Sequence, residues 1–202
     1  MEIRIAKKTD KVNIADLIYS SGPELYDFIY KTDKQTPQEY IAYEFNSGRG
    51  FCGYHNITVA VKDAQVVATG SFYDGKYYVK LLLGTALNMC LFYGFGVTSV
   101  LLRSSHINSV MKNPKKDELY LANFGVLASL RGQGIGRALI ESQLVSAKQQ
   151  GYRIFSLDVA HTNPGAEKLY RSIGLLVTKT KTFSGKREGF TVPNYKKMEK
   201  QL

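Results

Sequence analysis

The stretch SLRGQGIGRAL, Ser129 to Leu139, decides how this chain is read. Glycines alternate at Gly132, Gly134 and Gly136, with Arg131 and Arg137 on either side. Upstream, LYLANFGVL reads as a buried strand. Downstream, Leu139, Ile140, Leu144 and Ala147 repeat with helical spacing, and Gly151 suits the helix end. A strand, a glycine-rich turn and a helix form a geometry for binding phosphate. The first amides of a helix lack internal partners, and its dipole favours an anion there. Glycine lets a ligand approach the backbone. The two arginines can add charge-assisted hydrogen bonds, and Gln133 and Ile135 flank the ligand. Two familiar phosphate loops are excluded. A dinucleotide loop needs glycine where Arg137 or Leu139 stands, and no Gly-Lys-Ser/Thr ending is present for a nucleotide triphosphate loop. The competing structural reading is a tight turn whose glycines allow close helix–strand packing.

A second constellation follows in SLDVAHTNPGAEKLYRSIGL, Ser156 to Leu175. Strand alternation puts Ser156 and Asp158 on one face, with Leu157 and Val159 on the other. Asp158 is a polar residue in an apolar strand, which requires a hydrogen-bond network or a chemical role. Asn163 suits a helix N-cap, Pro164 the first turn, and Gly174 follows the helix end. Ala166, Leu169, Tyr170 and Ile173 share a stripe of that helix. Tyr170 reads either as a core tyrosine with a satisfied hydroxyl or as a functional phenol.

Working outward, EIRIAKKTD predicts a short strand, with Asp10 capping a helix that carries Ile14, Leu17 and Ile18. Pro23 starts a second helix through Tyr30. A third begins near Thr36-Pro37 and ends before NSGRG. NITVAV and VVATGSFY form a hairpin around Lys62–Gln65, with Ile57, Val59 and Val61 sharing a face, and YYVKLLL reads as its third strand. Leu81 to Leu102 carries no charge. Its length suits a membrane span, but Gly84, Gly94 and Gly96 interrupt it. It is read as a strand end followed by buried helical pieces, a helical insert at about 84–113. A polar turn from Met111 to Glu118 follows. RIFSLDVA is a strand, and the tail offers two more, near Val177 and over Tyr195–Met198. The order predicts one α/β domain over 1–202, a mixed sheet with N-terminal helices, an antiparallel meander and one βαβ crossover.

The composition fits one domain: 202 residues, 44% hydrophobic, with a formal net charge of +10. Such a charge attracts anions without choosing among them. The basic tail from Lys179 to Lys200 comes with no nucleic-acid recognition motif, so neither nucleic acid nor membrane is an expected partner. Cys52 and Cys90 form no CxxC pair, and His55, His106 and His161 lie far apart, so no metal site is expected. MEIRIAKKTD has no apolar signal region, and a cytoplasmic setting is expected.

Together the two constellations, R131-GQ-G134-I-G136, Asn163 and A166-EK-L169-Y170-RSI-G174-L175, resemble the GNAT family of N-acetyltransferases. The likeness is strong over about 119–175. It departs from the family at Ala128 and Leu175, where proline and phenylalanine are usual. The resemblance implies a GNAT-like acyl-CoA N-acyltransferase fold, acetyl-CoA as cosubstrate and no metal. It places the pyrophosphate on the backbone of Arg131, Gly132, Gln133, Gly134, Ile135, Gly136 and Arg137. It pairs Phe124, Gly125 and Val126 with the pantetheine arm and sets Asn163 near its thiol half. Tyr170, against the cofactor, would be the general acid as a primary amine attacks the thioester directly. For the base, Asp158 looks placed like the glutamate of the branch that acetylates ribosomal-protein N-termini. It is one methylene shorter, so a water relay is expected; Glu118 and His161 are further candidates. The acceptor amine is open: protein N-terminus, lysine, polyamine, aminoglycoside or another small amine. The insert borders the acceptor cleft in this fold and is expected to shape its choice. A catalytically silent acyl-CoA sensor is the alternative. Homodimers are common among similar proteins.

Overall fold

The β-branched segments assemble into one seven-stranded sheet in the computed structural model, which describes residues 1–111 and 113–202. The strands are β1 (Glu2–Ile5), β2 (Ile57–Lys62), β3 (Gln65–Tyr73), β4 (Glu118–Val126), β5 (Ile154–Ala160), β6 (Leu176–Lys181) and β7 (Tyr195–Gln201), in the order β1-β2-β3-β4-β5-β7-β6. β1 to β4 are antiparallel neighbours; β4 and β5 are parallel. The β2–β3 hairpin turns on Asp63 and Ala64, both at positive φ, the backbone that matches the twist of paired strands. The β4–β5 pair needs a crossover, and α6 (Ile135–Gln149) supplies it.

Helices cover both faces. On one, α6 and α7 (Pro164–Ser172) bury Ile140, Phe155, Leu157 and Tyr170 in a common core. On the other lie α1 (Ile14–Tyr19), α2 (Pro23–Tyr30) and α3 (Pro37–Ser47), with Ile14, Ile18, Ile41 and Phe45 packed over β2. Thr36 and Glu39 form a reciprocal capping box at α3, as the local sequence favours. The expected Asp10 cap is not formed. Asp10 instead accepts from Arg4 at 2.6 and 3.0 Å and from the Lys7 amide, and Asn13, in the left-handed region, precedes α1. A nearby guanidinium binds that carboxylate in two places, more strongly than one helix amide does.

The predicted third hairpin strand, YYVKLLL, is helical. It lies within α4 (Gly75–Tyr93), whose first turn is capped by the Asp74 carboxylate on the amides of Lys76 and Tyr77. The insert therefore starts at Gly75, not near residue 84. Gly94–Gly96 breaks the helix as expected, and α5 (Val97–Ser105) follows. These pieces are not buried throughout. α4 turns Thr85, Asn88, Met89 and Tyr93 inward, while Leu83, Leu87, Leu91 and Phe95 at its end face outward and are exposed. Gly75–Ser109 is long and apolar enough to cross a membrane by length and composition. In this fold its inward side packs on α3, and Asn88 Nδ2 donates to the Arg49 carbonyl at 3.2 Å.

Candidate active site

Two irregularities in β4 create the site. Between Ser71↔Ala122 and Thr69↔Gly125 the β3 register shifts by one residue, and Asn123 adopts φ 54°. This is a β-bulge, which bends a strand and re-aims its side chains. The parallel register to β5 runs from Glu118↔Ile154 to Leu121↔Leu157 and stops there. β4 continues to Val126 and β5 to Ala160, so the strands part and leave a gap beside Phe124, Gly125 and Val126. Backbone groups along such an opening are available to an extended ligand.

The glycine loop stands beside this gap. Gly132 and Gly134 have φ of 78° and 80°, and a Cβ built on either meets nothing within 4 Å. Gly134 is the N-cap of α6 without any side-chain cap, so the first-turn amides keep no side-chain acceptor. Gly136 does a different job: a Cβ there would lie 2.9 Å from Phe124 Cζ, so this glycine lets helix and strand approach. The glycines thus differ: Gly132 and Gly134 border open space, and Gly136 serves close packing. Ile135 is buried among core residues, and Gln133 is exposed. Arg131 Nε is anchored on the Val126 carbonyl at 3.1 Å. Arg137 reaches Glu141 at 3.0 Å and Ser172 Oγ at 2.6 Å, tying α6 to the end of α7.

The gap leads into a cavity of about 290 Å³ on the α1–α5 face. Tyr170 lines it from α7, its ring 6.2 Å from that of Phe124. Among the described residues its hydroxyl has no hydrogen-bond partner, and burial pushes it well above the ordinary tyrosine value. Asp158 also lines the cavity. Both its oxygens accept from Lys181 Nζ, at 2.8 and 2.9 Å, and Oδ2 accepts from the Tyr120 hydroxyl at 2.9 Å. Burial raises the Asp158 carboxyl despite the opposing pull of Lys181 and Tyr120.

The remaining sequence candidates stand apart. Glu118, at the start of β4, is not in the cavity wall; it binds Lys197 Nζ at 2.8 Å, the Ser156 hydroxyl and the Lys115 amide. Burial raises its carboxyl, but these donors outweigh that and hold it below the ordinary glutamate value. Asn163 caps α7, its Oδ1 accepting from the Ala166 amide at 3.0 Å, on the exposed side of the helix start. His161 is exposed in the preceding turn. Among the described residues no cluster of His, Cys, Asp and Glu is placed to hold a metal.

Three residues of the site were not foreseen. Asn123 receives the Tyr26 hydroxyl at 2.6 Å and donates to Ser71 Oγ and the Phe51 carbonyl, fixing the bulge. A polar residue within LYLANFGVL is the same kind of signal that singled out Asp158. Lys181 and Glu44 reach the site from elements distant in sequence, and no local pattern announces them.

A parallel pair that parts beside an uncapped, glycine-led helix offers strand backbone and helix amides to an extended anionic ligand. The chain belongs to the GNAT family of acetyltransferases: the model described as "Acetyltransferase (GNAT) family" matches residues 21–175. Among solved structures, an N-acetyltransferase from Staphylococcus aureus Mu50 is 21% identical at a TM-score of 0.72, with 98% of this chain and all of that one covered. A ribosomal-protein-alanine N-acetyltransferase from Brucella melitensis is 16% identical at 0.59, with 100% of both chains covered. A putative acetyltransferase from Salmonella typhimurium, solved with acetyl-CoA, is 15% identical at 0.59, covering 100% of this chain and 93% of that one. At such identities the likeness establishes the fold. No curated protein matches in sequence.

Proposed function

We propose that this chain transfers the acetyl group of acetyl-CoA to a primary amine by direct attack, with Tyr170 as the general acid. The observation that carries this reading is the unpartnered Tyr170 hydroxyl in the cavity wall where β4 and β5 part. The residues present fit the cosubstrate: open space at Gly132 and Gly134 admits a phosphate to the first-turn amides, and the free edge at Phe124–Val126 suits an amide-bearing arm. Acetyl-CoA supplies an activated acetyl thioester. As the C–N bond forms and the C–S bond breaks, the Tyr170 hydroxyl gives its proton to sulfur, and the amine's proton returns through water to the tyrosinate. Burial holds that phenol in its protonated form and weakens it as an acid, so its proton moves only as C–S cleavage places charge on the sulfur. Asp158, already answered by Lys181 and Tyr120, positions the Tyr120 hydroxyl instead of taking the amine's proton itself.

The test is free-thiol release from acetyl-CoA across a panel of primary amines, with acetyl-CoA binding measured in parallel. Y170F should lower turnover by roughly 10²–10⁴-fold and leave acetyl-CoA affinity within a few-fold. Unchanged turnover would remove Tyr170 from the mechanism. Tight acetyl-CoA binding without release on any amine would favour the silent sensor.

A further inference from the structure

Two carboxyl groups stand in the cavity wall, Asp158 and Glu44. Asp158 is neutralised by Lys181 at 2.8 Å. Glu44 makes no salt bridge among the described residues, although it is only 1% exposed. Its Oε1 accepts from Thr85 Oγ1 at 2.5 Å and from the Cys52 amide at 3.3 Å, while the buried Oε2 has no hydrogen-bond partner. The surroundings are shaped around this group: a Cβ built on Gly50 would collide with Glu44 Oε1 and Thr85 Oγ1. A buried acceptor left without a donor costs stability, and a carboxyl more than most. A donor reaching Oε2 from the cavity, whose wall Glu44 shares, would relieve that cost. Burial lifts the Glu44 carboxyl above the ordinary glutamate value, with the Thr85 hydroxyl and the Cys52 amide pulling the other way, and a cation placed beside it favours its charged form.

Around Glu44 the wall is aromatic and apolar, including Tyr26, Tyr30, Phe51, Tyr73, Tyr78 and Leu82. Ring faces attract a cation and pack against a flat apolar body. At about 290 Å³ the cavity matches a small molecule. Glu44 is also linked to the bulge in β4. Cys52, whose amide Glu44 receives, has its Sγ 3.7 Å from Asn123 Nδ2 at the bulge where β4 leaves β5.

We propose that Glu44 selects the acceptor by receiving the ammonium of a small primary amine with an aromatic or otherwise apolar body. This rests on the acetyltransferase reading above and names its substrate class. It assigns the insert a role, since α4 supplies both Thr85, which orients the carboxyl, and Leu82 in the wall.

The experiment compares 2-phenylethylamine with 2-phenylethanol, its neutral counterpart of like shape, by calorimetry on the full chain with CoA present. The wild type should bind the amine at least about tenfold tighter than the alcohol, equivalent to one charge-assisted contact. E44Q should bind the alcohol normally and bring that ratio near one, with kcat/KM for the amine down about tenfold or more and the KM for acetyl-CoA unchanged. E44D, which keeps the charge one methylene further back, should retain an intermediate preference and reports the role even if E44Q folds poorly. An undiminished preference in E44Q overturns the proposal. So does a wild type that binds neither ligand, or both equally. If acetyl-CoA itself does not bind, the acetyltransferase reading fails. If it binds and thiol is released with other amines, only the Glu44 assignment fails.

Discussion

At Gly125 a single missing side chain decides whether the first helix can sit on the sheet. A Cβ there would collide with the Leu17 carbonyl oxygen, which is backbone and cannot rotate away. G125A should therefore force α1 off β4 and cost about 2–3 kcal/mol, a shift of several degrees in Tm. G132A makes a useful contrast, since its Cβ meets open space and only the positive φ is strained, about 1–2 kcal/mol. Equal melting losses in the two variants would show that α1 yields freely. Both glycines are visible in the sequence, and the phosphate-loop reading falls on a helix start that has no side-chain cap. The packing job of Gly125 is not visible there, because it depends on Leu17, which belongs to another element. Asn163 was legible as a cap for the opposite reason, since its partner amide lies three residues away.

Among elements, the strand starts are joined by charge. Glu118 on β4 receives Ser156 from β5 and Lys197 from β7, so one carboxylate ties three adjacent interior strands. Its folded pKa is depressed, so its contribution is complete above the unfolded glutamate value, near pH ~4.3, and is lost as pH falls through the lower folded value. E118Q should cost about 1–3 kcal/mol at pH 7, and the gap to wild type should narrow below pH ~4. Urea unfolding at pH 7 and pH 3 reads both numbers; a gap that persists at pH 3 would assign the loss to packing. The elements themselves were largely legible where local chemistry sets them, as with the capping box at Thr36 and the hairpin at Asp63-Ala64. α4 was not. YYVKLLL is a short apolar run whose length and composition fit a strand or a helix, and the deciding feature, the Asp74 cap, lies just before it.

For the molecule as a whole, the insert is held by apolar contact and hydrogen bonds together, the sheet's other face by apolar contact. α6 and α7 grip the sheet through apolar surface. The insert turns several leucines outward, buries Met89, Tyr93, Val100 and Val110 in an apolar core with Leu25, Phe28 and Ile29, and adds hydrogen bonds: Tyr40 to the Thr85 carbonyl, Tyr93 to the Tyr30 carbonyl, Arg103 to the Ile29 carbonyl, and Lys181 to the Val110 carbonyl. Apolar residues on both sides of α4 blur which side points inward, which is why the sequence reads the insert as buried throughout. Lys181 is the strongest of these ties, because it also forms the buried pair with Asp158, their side chains only 3% and 0% exposed. Removing one member of such a pair leaves a charge without compensation in a medium that solvates it poorly. K181M should lose about 3–5 kcal/mol, and D158N a comparable amount. The double variant D158N/K181M should lose less than the two singles together, by about 0.5–3 kcal/mol, since neither charge is then stranded. Urea unfolding of the four proteins closes the cycle. Additive losses would mean that Lys181 acts chiefly through Val110, as a clamp on the insert. A strong coupling would place its main effect at Asp158 and Tyr120, in the wall of the cavity where the acceptor is held.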